Sequence, residues 1–331
     1  MAGIRSGPSR FRASSDGAAG GGPTRRRGAA RLSGLRDLWA SAHAGVILAD
    51  GGTGTALLAR GLPRGTCPDA WNLTHPDQVA AVAASYAAAG AQMLYTNTFG
   101  ANRLALRRHG LADAVARINA EGVRLARGGA GTDRLIAGSM GPTGSLLEPF
   151  GELPAADAEE AFAEQAAALV AAGVDLLVLE TFTQLEEAHA ALRAVRRVTP
   201  DPVIVSLSFD AGGRTAMGVT PERAAAVLLP AGADGLGANC GGAWDDVAGA
   251  VAGLAAAAPE TPLLLKPNAG RPVAAADGVR YPGTPEAFAR FVGGLASRLP
   301  VHFVGGCCGT GPAHIAALRQ AVCALPGATR G

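Results

Sequence analysis

The stretch Val174-Asp175-Leu176-Leu177-Val178-Leu179-Glu180, followed closely by the helical stretch Gln184–Val198, decides the fold. An almost continuous apolar run of this length reads as a strand buried on both faces, and a helix following it makes the sheet parallel. The unit recurs along the chain. The apolar runs are Val46–Asp50, Gln92–Thr96, Arg134–Met140, Val174–Glu180, Pro202–Phe209, Gly235–Cys240, Leu263–Pro267 and His302–Gly306. Helical patterns follow them at Asp77–Ala89, Leu111–Arg127, Ala155–Ala172, Gln184–Val198, Pro221–Pro230, Trp244–Ala257, Pro285–Arg298 and Pro312–Cys323. Thr220-Pro221-Glu222 and Thr284-Pro285-Glu286 are helix starts, a capping hydroxyl with proline at the first helical position. Eight such units in about 290 residues predict an α/β chain closed as a (β/α)8 TIM barrel, a single domain. An open doubly wound sheet would need a phosphate loop; Gly51-Gly52-Thr53-Gly54 matches neither G-x-G-x-x-G nor the P-loop.

Working outward, residues 35–325 form the predicted barrel, 1–34 an Arg-, Gly- and Ser-rich disordered tail and 326–331 a short C-terminal tail. The first segment holds Arg5, Arg10, Arg12, Arg25, Arg26, Arg27 and Arg31 with little that could pack. It weakly imitates an organelle transit peptide but lacks the apolar core of a secretory signal, and a solvated tail is the preferred reading. Of the 331 residues 48% are hydrophobic and 17% charged, and the net charge is +2. That balance gives no electrostatic case for nucleic acid or acidic membranes. No run is long and apolar enough to span a membrane. Five cysteines in a chain of this size make no disulfide framework. A cytoplasmic protein is expected. Lys266 is the only lysine, read here as a sign of coding base composition.

A barrel works at the carboxyl ends of its strands. Those ends read Asp50-Gly51-Gly52, Asn97-Thr98-Phe99, Gly141-Pro142-Thr143-Gly144, Glu180-Thr181-Phe182, Asn239-Cys240-Gly241-Gly242, Pro267-Asn268-Ala269-Gly270 and Gly305-Gly306-Cys307-Cys308-Gly309. Turns alone explain glycine and asparagine but not three thiols at two strand ends. Cys240, Cys307 and Cys308 could converge on one zinc ion and leave a fourth position for substrate. Adjacent cysteines on a strand point apart, so a bend at Gly306 or Gly309 is required. A vicinal redox pair and plain buried cysteines are the competing readings. Cys67 and Cys323 fit no such cluster. His43, His75, His109, His189, His302 and His314 lie in loops, on helices or at the wrong strand end. Zinc on three sulfurs is better suited to presenting a substrate thiolate than to making hydroxide, which points to alkyl transfer to sulfur. Glu180 closes a strongly apolar strand, where a carboxylate needs a cationic partner: a bound α-amino group, or a structural arginine. Asp50 is either a site residue or a loop cap.

Six ordered motifs resemble those of the homocysteine S-methyltransferase family: Asp50-Gly51-Gly52-Thr53-Gly54-Thr55, Asn97 to Arg103, Gly141 to Gly144, Gly237 to Gly241, Pro267 to Gly270 and Gly305 to Thr310. The likeness covers residues 36 to 325 or so. It implies a (β/α)8 barrel, zinc held by Cys240, Cys307 and Cys308, and homocysteine methylated to methionine at the mouth. It further implies that backbone amides around Asp50 and Gly51 meet the homocysteine carboxylate and that Glu180 meets its amino group. Relatives use methylcobalamin, betaine or S-methylmethionine as donor. The aromatic cage of the betaine enzymes is missing, since the matching positions are Gly100 and Thr181. The wording, including Leu146 to Pro149 and Gly218 to Thr220, resembles most the first module of cobalamin-dependent methionine synthase, where the asparagine matching Asn268 looks like a resting fourth ligand. The length favours a small donor such as S-methylmethionine or S-adenosylmethionine; the wording favours a separate corrinoid or folate methyl-carrier protein. The alternative is a vicinal-dithiol redox or zinc-binding protein without methyltransferase activity.

Overall fold

Eight strands run parallel in one sheet: β1 (Ile47–Leu48), β2 (Met93–Tyr95), β3 (Leu135–Met140), β4 (Leu176–Phe182), β5 (Val203–Leu207), β6 (Gly235–Cys240), β7 (Leu263–Pro267) and β8 (Val301–Val304). The computed structural model describes residues 45–131, 133–275 and 278–323, together with Gly3. Apart from Gly3, the tails expected at 1–34 and 326–331, and both of their boundaries, lie outside the described residues. Each strand pairs with its sequence neighbour, and β8 returns to β1. The ring closes between β1 and β2 through the bridge Ala49–Met93, where Asp50 N donates to Met93 O at 3.0 Å. This is the predicted (β/α)8 barrel.

One long helix follows each strand: α1 (Pro76–Ala88), α2 (Val115–Ala130), α3 (Ala155–Ala172), α4 (Leu185–Val198), α5 (Pro221–Leu228), α6 (Trp244–Ala257), α7 (Pro285–Ala296) and α8 (Pro312–Cys323). The two predicted caps form: Thr220 Oγ1 accepts from Arg223 N at 3.2 Å and Thr284 Oγ1 from Ala287 N at 3.3 Å. Each hydroxyl satisfies one of the amides that a helix start leaves unpaired. No helix among the described residues is long and apolar enough to cross a membrane. The predicted strand Pro202–Phe209 is shorter in the structure. Phe209–Asp210 leaves the barrel and pairs antiparallel with Arg214–Thr215. A second hairpin, Val273–Ala275 with Gly278–Arg280, follows β7.

Two apolar layers hold the barrel. Between sheet and helices lie Phe162, Leu177, Leu192, Val205 and Val251, all buried. Inside the ring lie Ile47, Met93, Leu176, Ile204, Leu264 and Phe303. Alternate residues of a strand share a face. Two residues further along the inward faces, Met93 gives way to Tyr95, Ala137 to Ser139, Val178 to Glu180, Ile204 to Ser206 and Leu264 to Lys266, all buried. The interior therefore changes from apolar to polar at its C-terminal end. Phe303→Ala, which empties a fully buried ring from the inner layer, is expected to cost about 3–5 kcal/mol in urea denaturation. A loss under about 1 kcal/mol would mean that the interior is not close-packed.

Candidate active site

Cys240 ends β6 in the left-handed region, with φ 58°. That turn takes its sulfur out of the strand's alternation. Cys307 and Cys308 follow β8 in a turn closed by Thr310, whose N and Oγ1 donate to Cys307 O at 3.1 and 2.6 Å. Gly309 then takes φ 78°, the bend expected for two adjacent cysteines to serve one point. A Cβ there would also lie 2.3 Å from Tyr281 Cβ. All three sulfurs lie within 4.8 Å of one another, and all three cysteines are free. Thiols donated by Cys307 and Cys308 hold Cys240 well below the usual thiol range, while sharing with Cys240 pushes both partners up. The cluster is therefore ready to lose its first proton.

Asn239 supports it from below. Its Oδ1 accepts from Ser206 Oγ at 2.7 Å and from Thr181 N at 2.9 Å, and its Nδ2 donates to Thr181 Oγ1 at 2.6 Å. Thr181 holds φ 67°. A β-branched residue is strained there, at a cost of order 1–3 kcal/mol. Asn268 Nδ2 donates to Gly241 O at 3.0 Å, and Asn268 helps to lower the Cys240 thiol. Its Oδ1 is buried with no hydrogen-bond partner. Three clustered soft sulfurs, with an unsatisfied amide oxygen just past the end of the strand next to Cys240, make a donor set that fits a single metal ion. Tyr281, overlooked in the sequence, packs on the cysteine turn at Gly309 and helps to lower the Cys308 thiol.

The carboxylates stand apart in their pairing. Asp50 Oδ1 accepts from Lys266 Nζ at 2.7 Å and Oδ2 from Tyr95 N at 2.8 Å, and both side chains of the ion pair are at most 3% exposed. Asp50 is thus a partner of the one lysine rather than a loop cap. Lys266 Nζ also stands 3.4 Å from the Tyr95 ring centroid. Glu180 accepts from Ser139 Oγ at 2.5 Å and forms no ion pair among the described residues. Burial raises its carboxyl above the usual range, opposed first by the charge of Lys266. No arginine among the described residues pairs with Glu180, as the structural reading would require.

A cavity of about 340 Å³ joins these groups. Gly51, Tyr95, Ser139, Glu180, Lys266 and the three clustered cysteines line its floor and walls. Phe99, Arg108 and His109 line it further out, and Phe99 is 43% exposed. Cys67 and Asp69, which the sequence reading left out of the site, line it too. Of the described histidines, His109 reaches the cavity and none joins the sulfurs. Around Gly51, the amide of Asp50 is spent on Met93 O and that of Gly52 on Thr310, leaving Gly51 N unbonded among the described residues.

Fold and site together define a (β/α)8 barrel with a three-thiol centre and a carboxylate-lined cavity at its C-terminal mouth. The chain belongs to the homocysteine S-methyltransferase family, whose model matches residues 47–322. It is 32% identical over 294 residues to a protein named methionine synthase from Mycobacterium tuberculosis, and equally to that of Mycobacterium leprae. Each alignment takes in 84% of this chain but 24% of the relative, so the chain spans about a quarter of the curated relatives' length. Among solved structures it is similar to the Escherichia coli homocysteine methyltransferase MmuM. In its metallated form the TM-score is 0.72 at 25% identity, covering 86% of this chain and 99% of that one. In its oxidized form the values are 0.70, 26%, 83% and 95%.

Asp69 allows a test of the cavity's electrostatics. Burial raises its carboxyl from 3.8 to about 6, opposed by the amide of Gly100 at 3.0 Å. A carboxyl raised by folding stabilises the protein fully below its unfolded pKa, and that share is lost as pH rises through the folded value. Asp69→Asn should therefore remove a fall in stability between pH 4 and 6 that the unaltered protein shows in urea titrations. Equal slopes in both proteins would refute it.

Proposed function

We propose that this barrel transfers a methyl group to the sulfur of homocysteine, giving methionine, with zinc held by Cys240, Cys307 and Cys308. The observation that carries the reading is the gathering of three free thiols, from strands far apart in sequence, at one side of a carboxylate-lined cavity. Zinc bound there would act as a Lewis acid that keeps an incoming thiol as thiolate near neutral pH. Asn268, with its unpaired carbonyl oxygen, would complete the donor set at rest and give way to the substrate sulfur.

The remaining work falls to the chain itself. Glu180 receives the α-ammonium of homocysteine on the oxygen that Ser139 leaves free, and the amide of Gly51 offers a donor to the carboxylate. Holding the amino acid at that end fixes its sulfur over the cluster, where orientation replaces a bimolecular search. The thiol proton leaves to solvent, the sulfur–methyl bond forms as the donor–methyl bond breaks, and the donor departs one methyl group lighter. The methyl donor reaches the sulfur past Phe99, Arg108 and His109, the outer walls of the cavity. We take the donor to be a small sulfonium or a methylated carrier protein, and the setting to be cytoplasmic, where thiols stay reduced. Comparing S-methylmethionine, S-adenosylmethionine, betaine and methylcobalamin with homocysteine held constant identifies it.

X-ray absorption at zinc tests the centre. Three sulfurs and one light atom should become four sulfurs when homocysteine is added. Cys240→Ala should lose zinc and methyl transfer together while keeping its circular dichroism; full activity in the zinc-depleted variant refutes the role. Glu180→Gln is expected to raise KM for homocysteine roughly 10- to 100-fold, with a smaller change in kcat, as befits a lost charged hydrogen bond. An unaltered KM would remove Glu180 from substrate binding.

A further inference from the structure

Twenty-nine residues of this chain are lysine or arginine, and only position 266 is lysine. Its side chain is 3% exposed, inside the barrel, on the register level of Asn239 and one residue short of the level of Cys240. A buried ammonium is costly unless all three of its N–H groups are answered. One goes to Asp50 Oδ1 at 2.7 Å, and the Tyr95 ring covers the ammonium at 3.4 Å from its centroid. No other acceptor bonds it among the described residues. Tyr95 itself has a buried hydroxyl with no partner. Lys266, Tyr95 and Glu180 all line the cavity that holds the three sulfurs.

Glu180 and Lys266 sense one another's charge yet form no ion pair. Between them is a place for a ligand that carries both signs on groups sharing one carbon, which is what an α-amino acid does. The backbone offers the carboxylate little besides Gly51 N, since the amides of Asp50 and Gly52 are already bonded within the protein. We infer that Lys266, with the hydroxyl of Tyr95 beside it, binds the α-carboxylate of the acceptor thiol opposite the ammonium site on Glu180. Lys266 is then a specificity-determining residue that admits zwitterionic thiols and disfavours thiols without a carboxylate. A compact ammonium fits between Asp50 and the ring, where a planar guanidinium with five donors would leave more of them unanswered. The inference rests on the proposed homocysteine activity.

A chain with one lysine gives one signal when grown on lysine labelled with 13C at Cε, so the zinc-loaded protein can be watched at Lys266 alone. Homocysteine and 4-mercaptobutyrate, which keeps the carboxylate and lacks the amine, should both move that signal. 3-Mercaptopropylamine, which lacks the carboxylate, should leave it nearly in place. If homocysteine adds a fourth sulfur to zinc while the signal stays still, the assignment of Lys266 is wrong and the methyltransferase reading stands. If no fourth sulfur appears, both readings fall. Lys266→Met should lower kcat/KM for homocysteine, through KM, by roughly 10- to 100-fold more than it lowers that for 3-mercaptopropylamine. Equal losses on both thiols would assign Lys266 to holding Asp50 and overturn the inference.

Discussion

Charge placed inside a barrel has to be answered inside it. Asp50 and Lys266 meet this condition at the centre of the mouth, linking β1 to β7 across β8 at 2.7 Å with almost no exposure. Removing one member of such a pair strands the other, at about 3–5 kcal/mol, so the two persist or vanish together. Their union also divides two otherwise similar carboxylates. Asp50 is saturated by Lys266 and the Tyr95 amide, whereas Glu180 has a single hydroxyl from Ser139. Of these two acids a cation entering the cavity therefore finds Glu180 available, and the reading of Glu180 as an amine receptor depends on Lys266 having claimed the other.

Backbone strain is confined to the same place. Thr181 and Cys240 are the non-glycine residues with positive φ among the described residues, at the ends of β4 and β6. Asn239 ties them together, bonded twice to Thr181 and placed next to Cys240 in sequence. It also approaches Cys307 Sγ at 4.0 Å. Strand ends held in sparsely populated conformations persist only where surrounding bonds over-determine them, and such sites collect where a side chain must be aimed. Here the aim is the convergence of sulfur from β6 with sulfur from the turn after β8.

The fold was legible because parallel strands buried on both faces leave unbroken apolar runs, and two of the long helices after them carry threonine and proline at their starts. The thiol centre was legible because three cysteines at two strand ends exceed what turns require. Lys266 was not. Its rarity looked like a property of the coding DNA, and its meaning depends on Asp50, 216 positions away. The available signal was its register: two residues beyond Leu264, on the inward face, in step with Ser139, Glu180 and Ser206. Cys67 and Asp69 were missed because they sit on a segment between β1 and α1 that no strand pattern marks.

Several motif residues prove to be wiring rather than chemistry. Asn97 donates to Pro68 O and Asn72 Oδ1, and Thr98 to Ser139 O, which pins the loop after β2 to its neighbours. Thr143 gives both its amide and its hydroxyl to Glu187, anchoring the loop after β3 on α4. Gly52 lies so close to the cysteine turn that a Cβ there would stand 2.5 Å from Cys307 O. These contacts hold the floor of the cavity rigid, as a site that orients a thiol requires. The outer wall is built differently: Phe99 stands exposed, and Arg108 and His109 project from the end of a short helix, Arg103–Arg107. On the proposed reading, the fixed inner half would take the amino acid and the exposed, side-chain-lined outer half the methyl donor.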